Sequence, residues 1–287
     1  MITHDTSSPR EKMKLSCLAI LFSLILTLKK NRFLLFQLIQ RNIESRYKGS
    51  LLGIFWSIAQ PLIMLSIYTF VFTYVLKSKF GIQIEEDHKG AFAIIMFCGM
   101  SVFNIFSEVL NNCTTVITSN QSFVKKVIFP LEILPISQVL TSLIFGIIWF
   151  FLLFIGSLFI LKTASITMLL LPFVLIPLAL LSCGCGYFVA SLGVYIRDMP
   201  YIINVILQML FFMTPIFYPI SAIPEKYRIV LYLNPLSEIV EQTRALFLYG
   251  EMPNWEHIGA LWGISIILFF LGLIWFNKTK KGFADVI

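Results

Sequence analysis

Apolar residues in this chain come in unbroken runs, not in alternation. Six stretches, at about 51–76, 91–117, 133–161, 167–194, 201–220 and 257–276, reach the length of roughly 20 residues that a membrane-crossing helix needs. Continuous runs predict helices and exclude a transmembrane barrel, whose strands alternate. The fifth stretch contains Pro215 and Pro219, so a broken or re-entrant span is expected there. Leu15–Leu28 is a further apolar run between Lys14 and Lys29-Lys30, too short to span and without a small-residue cleavage site. It is expected in the cytoplasmic interface, with a seventh span as the alternative.

Two segments outside the spans also carry helical patterns. In Lys29–Lys48, Leu35, Phe36, Ile39, Ile43 and Tyr47 recur at helical spacing between basic ends, predicting an amphipathic helix on the inner leaflet. Between spans five and six, Asn234-Pro235 reads as a helix start, with Asn as cap and Pro in the first turn. Leu236, Ile239, Val240, Thr243, Leu246 and Phe247 then share one face, predicting a short outer helical hairpin. The expected organisation is an all-α membrane protein: an interfacial segment 1–28, the amphipathic helix 29–48, a six-span domain 51–276 and a tail 277–287.

Composition agrees. Hydrophobic residues make up 58% of 287 residues, charged residues only 13%, and mean hydropathy is +0.86, which excludes a soluble enzyme and a disordered chain. The net charge of +7 reads as the positive-inside bias and contact with anionic lipid, with no call for nucleic acid. With six spans and a cytoplasmic N-terminus, 15 of the 22 Lys and Arg fall inside, so both termini are expected in the cytoplasm. The outside then holds Glu85-Glu86-Asp87. The five cysteines lie in apolar surroundings and read as packing residues; Cys183-Gly184-Cys185 lacks metal-ligand spacing.

Little catalytic chemistry is present. There is no G-x-x-x-x-G-K-[ST], so no phosphate-cradling loop, and no H-E-x-x-H or D-x-D. Scattered aspartates and histidines disfavour a glycan-processing enzyme. The absence of paired intramembrane carboxylates points away from ion-coupled transport and towards energy from a partner. One polar pattern stands out. Ser101, Asn104, Glu108, Asn111, Thr115 and Thr118 step by threes and fours along one helical face. A water-accessible path explains six such positions; interhelical hydrogen bonding is the plainer alternative. Asn204, Gln208, Phe211, Pro215 and Tyr218 form a weaker stripe in span five, and Tyr68 belongs to an aromatic stripe in span one. In the cytoplasmic connection Thr118–Pro130, Phe123, Val124, Val127, Ile128 and Phe129 surround Lys125-Lys126, which predicts a docking helix where a plain basic loop would lack apolar residues.

Several motifs occur in order: Arg46-Tyr47-Lys48-Gly49-Ser50-Leu51-Leu52-Gly53 with Trp56 and Pro61; Tyr68–Phe72; Asn120, Lys125-Lys126, Phe129-Pro130 and Pro135; Tyr195-Ile196-Arg197-Asp198; Pro215–Pro219; Leu233–Leu236; and Phe283–Ile287. Over about residues 29–287 this set resembles the membrane subunit of ABC type-2 polysaccharide exporters, and looks most like O-antigen exporters. The resemblance implies a homodimeric permease of a bacterial inner membrane, with two cytoplasmic ATPase subunits and a lipid-linked glycan as substrate. ATP and Mg would sit in the partner, with no cofactor in this chain. Teichoic-acid and capsule exporters share most of the motifs, and a multidrug or lipid ABC permease is the alternative. On this reading Phe123, Lys125, Lys126, Phe129, Pro130, Arg197 and Asp198 would meet the ATPase. Arg41, Arg46, Tyr47 and Lys48 would lie at the interface, where Arg46 and Lys48 meet a substrate headgroup or ordinary anionic lipid. Tyr68, Phe211 and Tyr218 with the polar stripes would grip the passing sugar chain.

Overall fold

A computed structural model describes residues 21–75, 91–125, 129–161 and 165–287, and among these the chain is helical with no strand. After a helical stretch over 21–30, the helices are α1 (Arg32–Arg46), α2 (Trp56–Thr69), α3 (Ala91–Cys113), α4 (Gln121–Val124), α5 (Ile133–Gly156) and α6 (Leu171–Tyr195). Then follow α7 (Met199–Met213), α8 (Glu225–Tyr232), α9 (Pro235–Arg244), α10 (Trp255–Thr279) and α11 (Phe283–Val286). The segments 1–20, with Cys17, and 76–90, with the Glu85-Glu86-Asp87 cluster, lie outside the described residues, as does Lys126.

Four helical runs are long and apolar enough to cross a membrane: Phe92–Cys113, Ile133–Phe159, Ile166–Tyr195 and Trp255–Val286. Two expected spans come out shorter, as Gly53–Thr69 and Met199–Met213. The first unwinds into a π turn over Phe70–Val75. The second stops because Thr214 turns to an extended conformation (ψ 135°) before Pro215, whose ring disfavours helical backbone at the preceding residue. Fifteen residues reach about 22 Å, less than the hydrocarbon thickness of about 30 Å.

Polarity decides which helix is central. The Phe92–Cys113 run has the lowest hydropathy of the four long ones, 1.8 against 2.3–2.5, yet it is 83% buried against 33–39% for the others. A helix carrying Ser101, Asn104 and Glu108 cannot satisfy them in hydrocarbon, so it goes inside, and the more apolar helices face outward. Around α3 stand α2, α5, α6, α7 and α9. The most extensive pairing joins α6 to α10. Its close approach comes from glycine: a Cβ on Gly184 would sit 2.6 Å from the Leu268 carbonyl carbon, and one on Gly272 2.8 Å from that of Gly184.

At one end of the bundle, here the loop end, lie α1, the 114–125 segment and the C-terminal tail. α1 packs on α5. It buries Leu38 and half-buries Leu34, Leu35 and Ile39, while Phe36, expected on the apolar face, is exposed. Beyond the end of the helix at Arg46, Gly49 (φ 83°) and Gly53 (φ 53°) take left-handed conformations that side-chain-bearing residues rarely adopt, turning the chain into α2. The tail is fastened by buried Phe283 against Tyr195 and Phe276, by an ion pair of Lys280 with Glu132, and by Tyr195 Oη donating to the Thr279 carbonyl (3.1 Å).

The hairpin α8–α9 closes the other end. The Asn234 side chain accepts from the Leu236 amide (3.1 Å), and Pro235 opens α9, as the sequence predicts. All six residues of the predicted apolar face, Leu236 to Phe247, are buried, and α9 packs against α3. Asn234 Nδ2 also donates to Thr214 Oγ1 (3.0 Å), tying the hairpin to the break after α7.

Candidate functional site

The α3 stripe divides along its length. Ser101 is fully buried, and its hydroxyl donates to the Phe97 carbonyl one turn back (2.7 Å), so it lines no opening. Asn104 is half-buried. Glu108, Asn111 and Thr115 open into a cavity of about 560 Å3 at the loop end. The lower half of the stripe thus lines a cavity, while Ser101 at its upper end is enclosed.

The cavity is closed by α1. Arg46 reaches across to Glu108, with Nη1 2.5 Å from Oε1. Its guanidinium also lies over the Phe145 ring of α5, 4.1 Å from the centroid, and Tyr47 meets that ring edge-on at 5.9 Å. Burial raises the Tyr47 phenol above its ordinary range, while Arg46 draws it down and Glu108 pushes it up. One turn back, Arg41 Nη2 donates to Asn120 Oδ1 (3.0 Å), and its guanidinium stands 6.0 Å from the Phe123 ring. Asn42 donates to Ser137 and Thr141 hydroxyls of α5 (3.3 and 3.5 Å). Arg41 and Arg46, expected at the interface, and Glu108, Asn111 and Thr115, expected on the path, are therefore brought into one site, a meeting that sequence spacing does not predict. Lys48 is exposed and lines no part of it.

Sequence reasoning passed over other lining residues, Asn42, Asn112, Gln138 and Thr141, and named Asn120 only within a motif. A signal existed, because Ser137, Gln138 and Thr141 place a polar face on the first turns of the otherwise apolar α5. It also passed over Arg244, which is 1% exposed. Arg244 pairs with Glu241 (2.7 Å) and donates to the Ile216 carbonyl (2.9 Å), pinning the Thr214–Pro219 break from the hairpin side. Position 244 falls on the same helical face as Val240 and Phe247, so its burial was readable.

A second cavity, also about 560 Å3, lies at the loop end between the 114–121 segment, the α6–α7 turn and the chain terminus; Thr115, Thr118, Gln121, Arg197 and Ile287 line it. Arg197 and Asp198 are exposed, and Asp198 begins α7 by accepting the Ile202 amide (3.1 Å). The predicted docking helix is short in the described residues: one turn at Thr118–Asn120, then Gln121–Val124. Phe123 and Phe129 stack face to face at 4.4 Å and lean on the core, leaving Lys125 exposed and Pro130 half-buried.

The remaining residues expected on the path lie elsewhere. Asn204 and Gln208 are exposed on the side of α7 away from buried Ile203 and Leu207, so within one chain they do not meet the α3 stripe. Phe211 packs edge-on against Phe103 and Phe217, both at 5.1 Å. Tyr68 meets Phe217 at 6.0 Å, and Tyr218 donates to the Phe212 carbonyl (2.6 Å).

The least apolar of the long helices stands inside a more apolar helical shell, and two polar cavities open at the loop end, as befits a membrane transport subunit. The family profile described as ABC-2 type transporter matches residues 34–248, and the chain belongs to that family. It is similar to the O-antigen export system permease protein RfbA of Klebsiella pneumoniae, 28% identical over 260 residues that cover 88% of this chain and 95% of the relative. RfbA of Myxococcus xanthus is 27% identical over 92% of this chain and 99% of its own length. The polysialic acid transport protein KpsM of Escherichia coli is 26% identical over 84% and 91%.

Proposed function

We propose that this chain is the permease of an ATP-driven exporter that carries a lipid-linked polysaccharide, of the O-antigen class, from the cytoplasmic to the outer side of a bacterial inner membrane. The observation that carries the reading is the near full-length similarity to permeases named for O-antigen export and polysialic acid transport. Both names refer to the transport of a polysaccharide. The interior supports it: the least apolar long helix occupies the centre and opens on polar cavities.

The permease works as a homodimer with six spans per chain. Helical backbone from Gly53 to Val75 is long enough to cross with its π turn, and α7 crosses as a broken span completed by Thr214–Pro219. α7 exposes Val205, Met209 and Phe212 interleaved with Asn204 and Gln208. Amides at that depth need partners that lipid cannot give. A second copy supplies them, and the polymer passes between the two α7 faces beside Phe211, Tyr218 and Tyr68. The chain lacks a phosphate-cradling loop, so two cytoplasmic ATPase subunits drive it. They bear on the loop end, at Phe123–Pro130 and Arg197-Asp198, with both termini in the cytoplasm. Arg41 and Tyr47 keep α1 at the inner leaflet.

The test is deletion of the gene. Surface polysaccharide should disappear and lipid-linked glycan should accumulate inside; wild-type chain should restore export. Unchanged surface glycan in the deletion strain refutes the reading.

A further inference from the structure

We propose that the cavity between α1, α3 and α5 is a seat for one sugar residue, recognised through paired hydrogen bonds to neighbouring hydroxyls. The inference rests on the polysaccharide reading and adds a selective site to it. Of the residues lining the cavity, Val116 alone is apolar. Five are amides: Asn42, Asn111, Asn112, Asn120 and Gln138. A side-chain amide offers donor and acceptor in one plane, and each sugar hydroxyl both donates and accepts, so adjacent hydroxyls can bridge one amide. The volume of about 560 Å3 falls within the range of small-molecule pockets, about 300–1,000 Å3.

Both guanidinium groups of the lining are already engaged, which disfavours a simple oxyanion site. A phosphate needs donors and positive charge, yet the cavity presents the Glu108 carboxylate, and Arg46 is already paired with it at 2.5 Å. Arg41 is engaged with Asn120. A neutral, hydroxyl-bearing ring uses both signs: carboxylate as acceptor, guanidinium as donor, amides as both. The polar groups of the seat are already bonded to one another and to α5 before any ligand arrives. Arg46 is fixed between Glu108 and the Phe145 ring, and Asn42 is bonded to α5. Such pre-ordering reduces the entropy lost on binding. Its lining includes Ser119 and Asn120, which lead into the segment proposed to meet the ATPase. A sugar held there would be sensed before it enters the path.

The experiment uses the complex of this chain with its ATPase, carrying Ser119→Cys at the cavity wall. Labelling of residue 119 by N-ethylmaleimide is followed by peptide mass. Glucose, galactose, N-acetylglucosamine and rhamnose are the probes, with inorganic phosphate as the anion arm. At least one neutral sugar should slow labelling saturably, by about fivefold at roughly four times its Kd, the mass-action factor 1 + [L]/Kd. Phosphate should not. Asn111→Leu and the near-isosteric Asn111→Asp should each abolish protection, read as the ratio of labelling rates without and with sugar in the same variant. If no neutral sugar protects, or phosphate protects as well as any sugar, the seat is refuted. Export in wild-type cells with no sugar protection would sink the seat alone. Sugar protection without glycan export would sink the transport reading alone.

Discussion

Replacing Gly272 by alanine tests how the two most closely paired helices meet. The added methyl would lie 2.8 Å from the Gly184 carbonyl carbon and 3.0 Å from its Cα. Both are backbone atoms, so no side chain can turn aside, and α6 and α10 must part by roughly 1 Å. A gap of that size forfeits about a quarter to a half of each dispersion contact along the seam. Overpacking of this kind costs about 1–3 kcal/mol. For a chain of this size each kcal/mol moves the midpoint by about 2–4 °C, so a loss near 2 kcal/mol lowers Tm by about 4–8 °C. Gly263 on the same helix is the control, because a methyl there meets nothing within 4 Å. Gly263→Ala should be neutral or stabilise by up to about 1 kcal/mol, through the lower backbone entropy of alanine in a helix. The assay is thermal unfolding of detergent-solubilised protein followed by circular dichroism. If Gly272→Ala melts at or above the temperature of Gly263→Ala, the glycine-on-glycine crossing is wrong.

Three further outcomes follow from the loop end and the hairpin. Glu108→Arg, which sets two guanidinium groups against each other, should abolish export, and adding Arg46→Glu should restore a good part of it; failure of the swap to rescue would mean the pair is incidental. Cysteines at 111 and 112 should react with a small water-soluble maleimide, whereas Ser101→Cys, fully enclosed, should not; a reactive residue 101 would extend the open part of the stripe upward. Asn234→Ala removes a helix cap worth about 1 kcal/mol and also the bond to Thr214 Oγ1, so it should lower Tm by more than the Gln40→Ala surface control; equal melting would show that the capping contacts contribute nothing.

Much of this was readable because membrane helices announce themselves by apolar length, and caps by local chemistry. Asn234-Pro235 needed only its own turn to be recognised, and the buried face from Leu236 to Phe247 needed only helical spacing. The α3 stripe was visible for the same reason. Its partition was not, because whether Ser101 is enclosed and Asn111 open depends on what α5, α6 and α9 place against it. Phe36 and Leu38 show the limit on a weakly amphipathic helix: spacing alone put Phe36 on the packed side, while docking on α5 selected Leu38. The cavity was least legible of all. Arg46 and Glu108 are 62 residues apart, and no local pattern in either segment encodes their meeting.

The most direct measurement is translocation in proteoliposomes holding the purified chain and its ATPase, with a lipid-linked glycan on the outer face and a glycosidase trapped inside. The account predicts ATP-dependent cleavage of the glycan only when both subunits are present, and no ATP hydrolysis by this chain alone. Hydrolysis by the isolated chain, or glycan cleavage that proceeds without ATP, would contradict it.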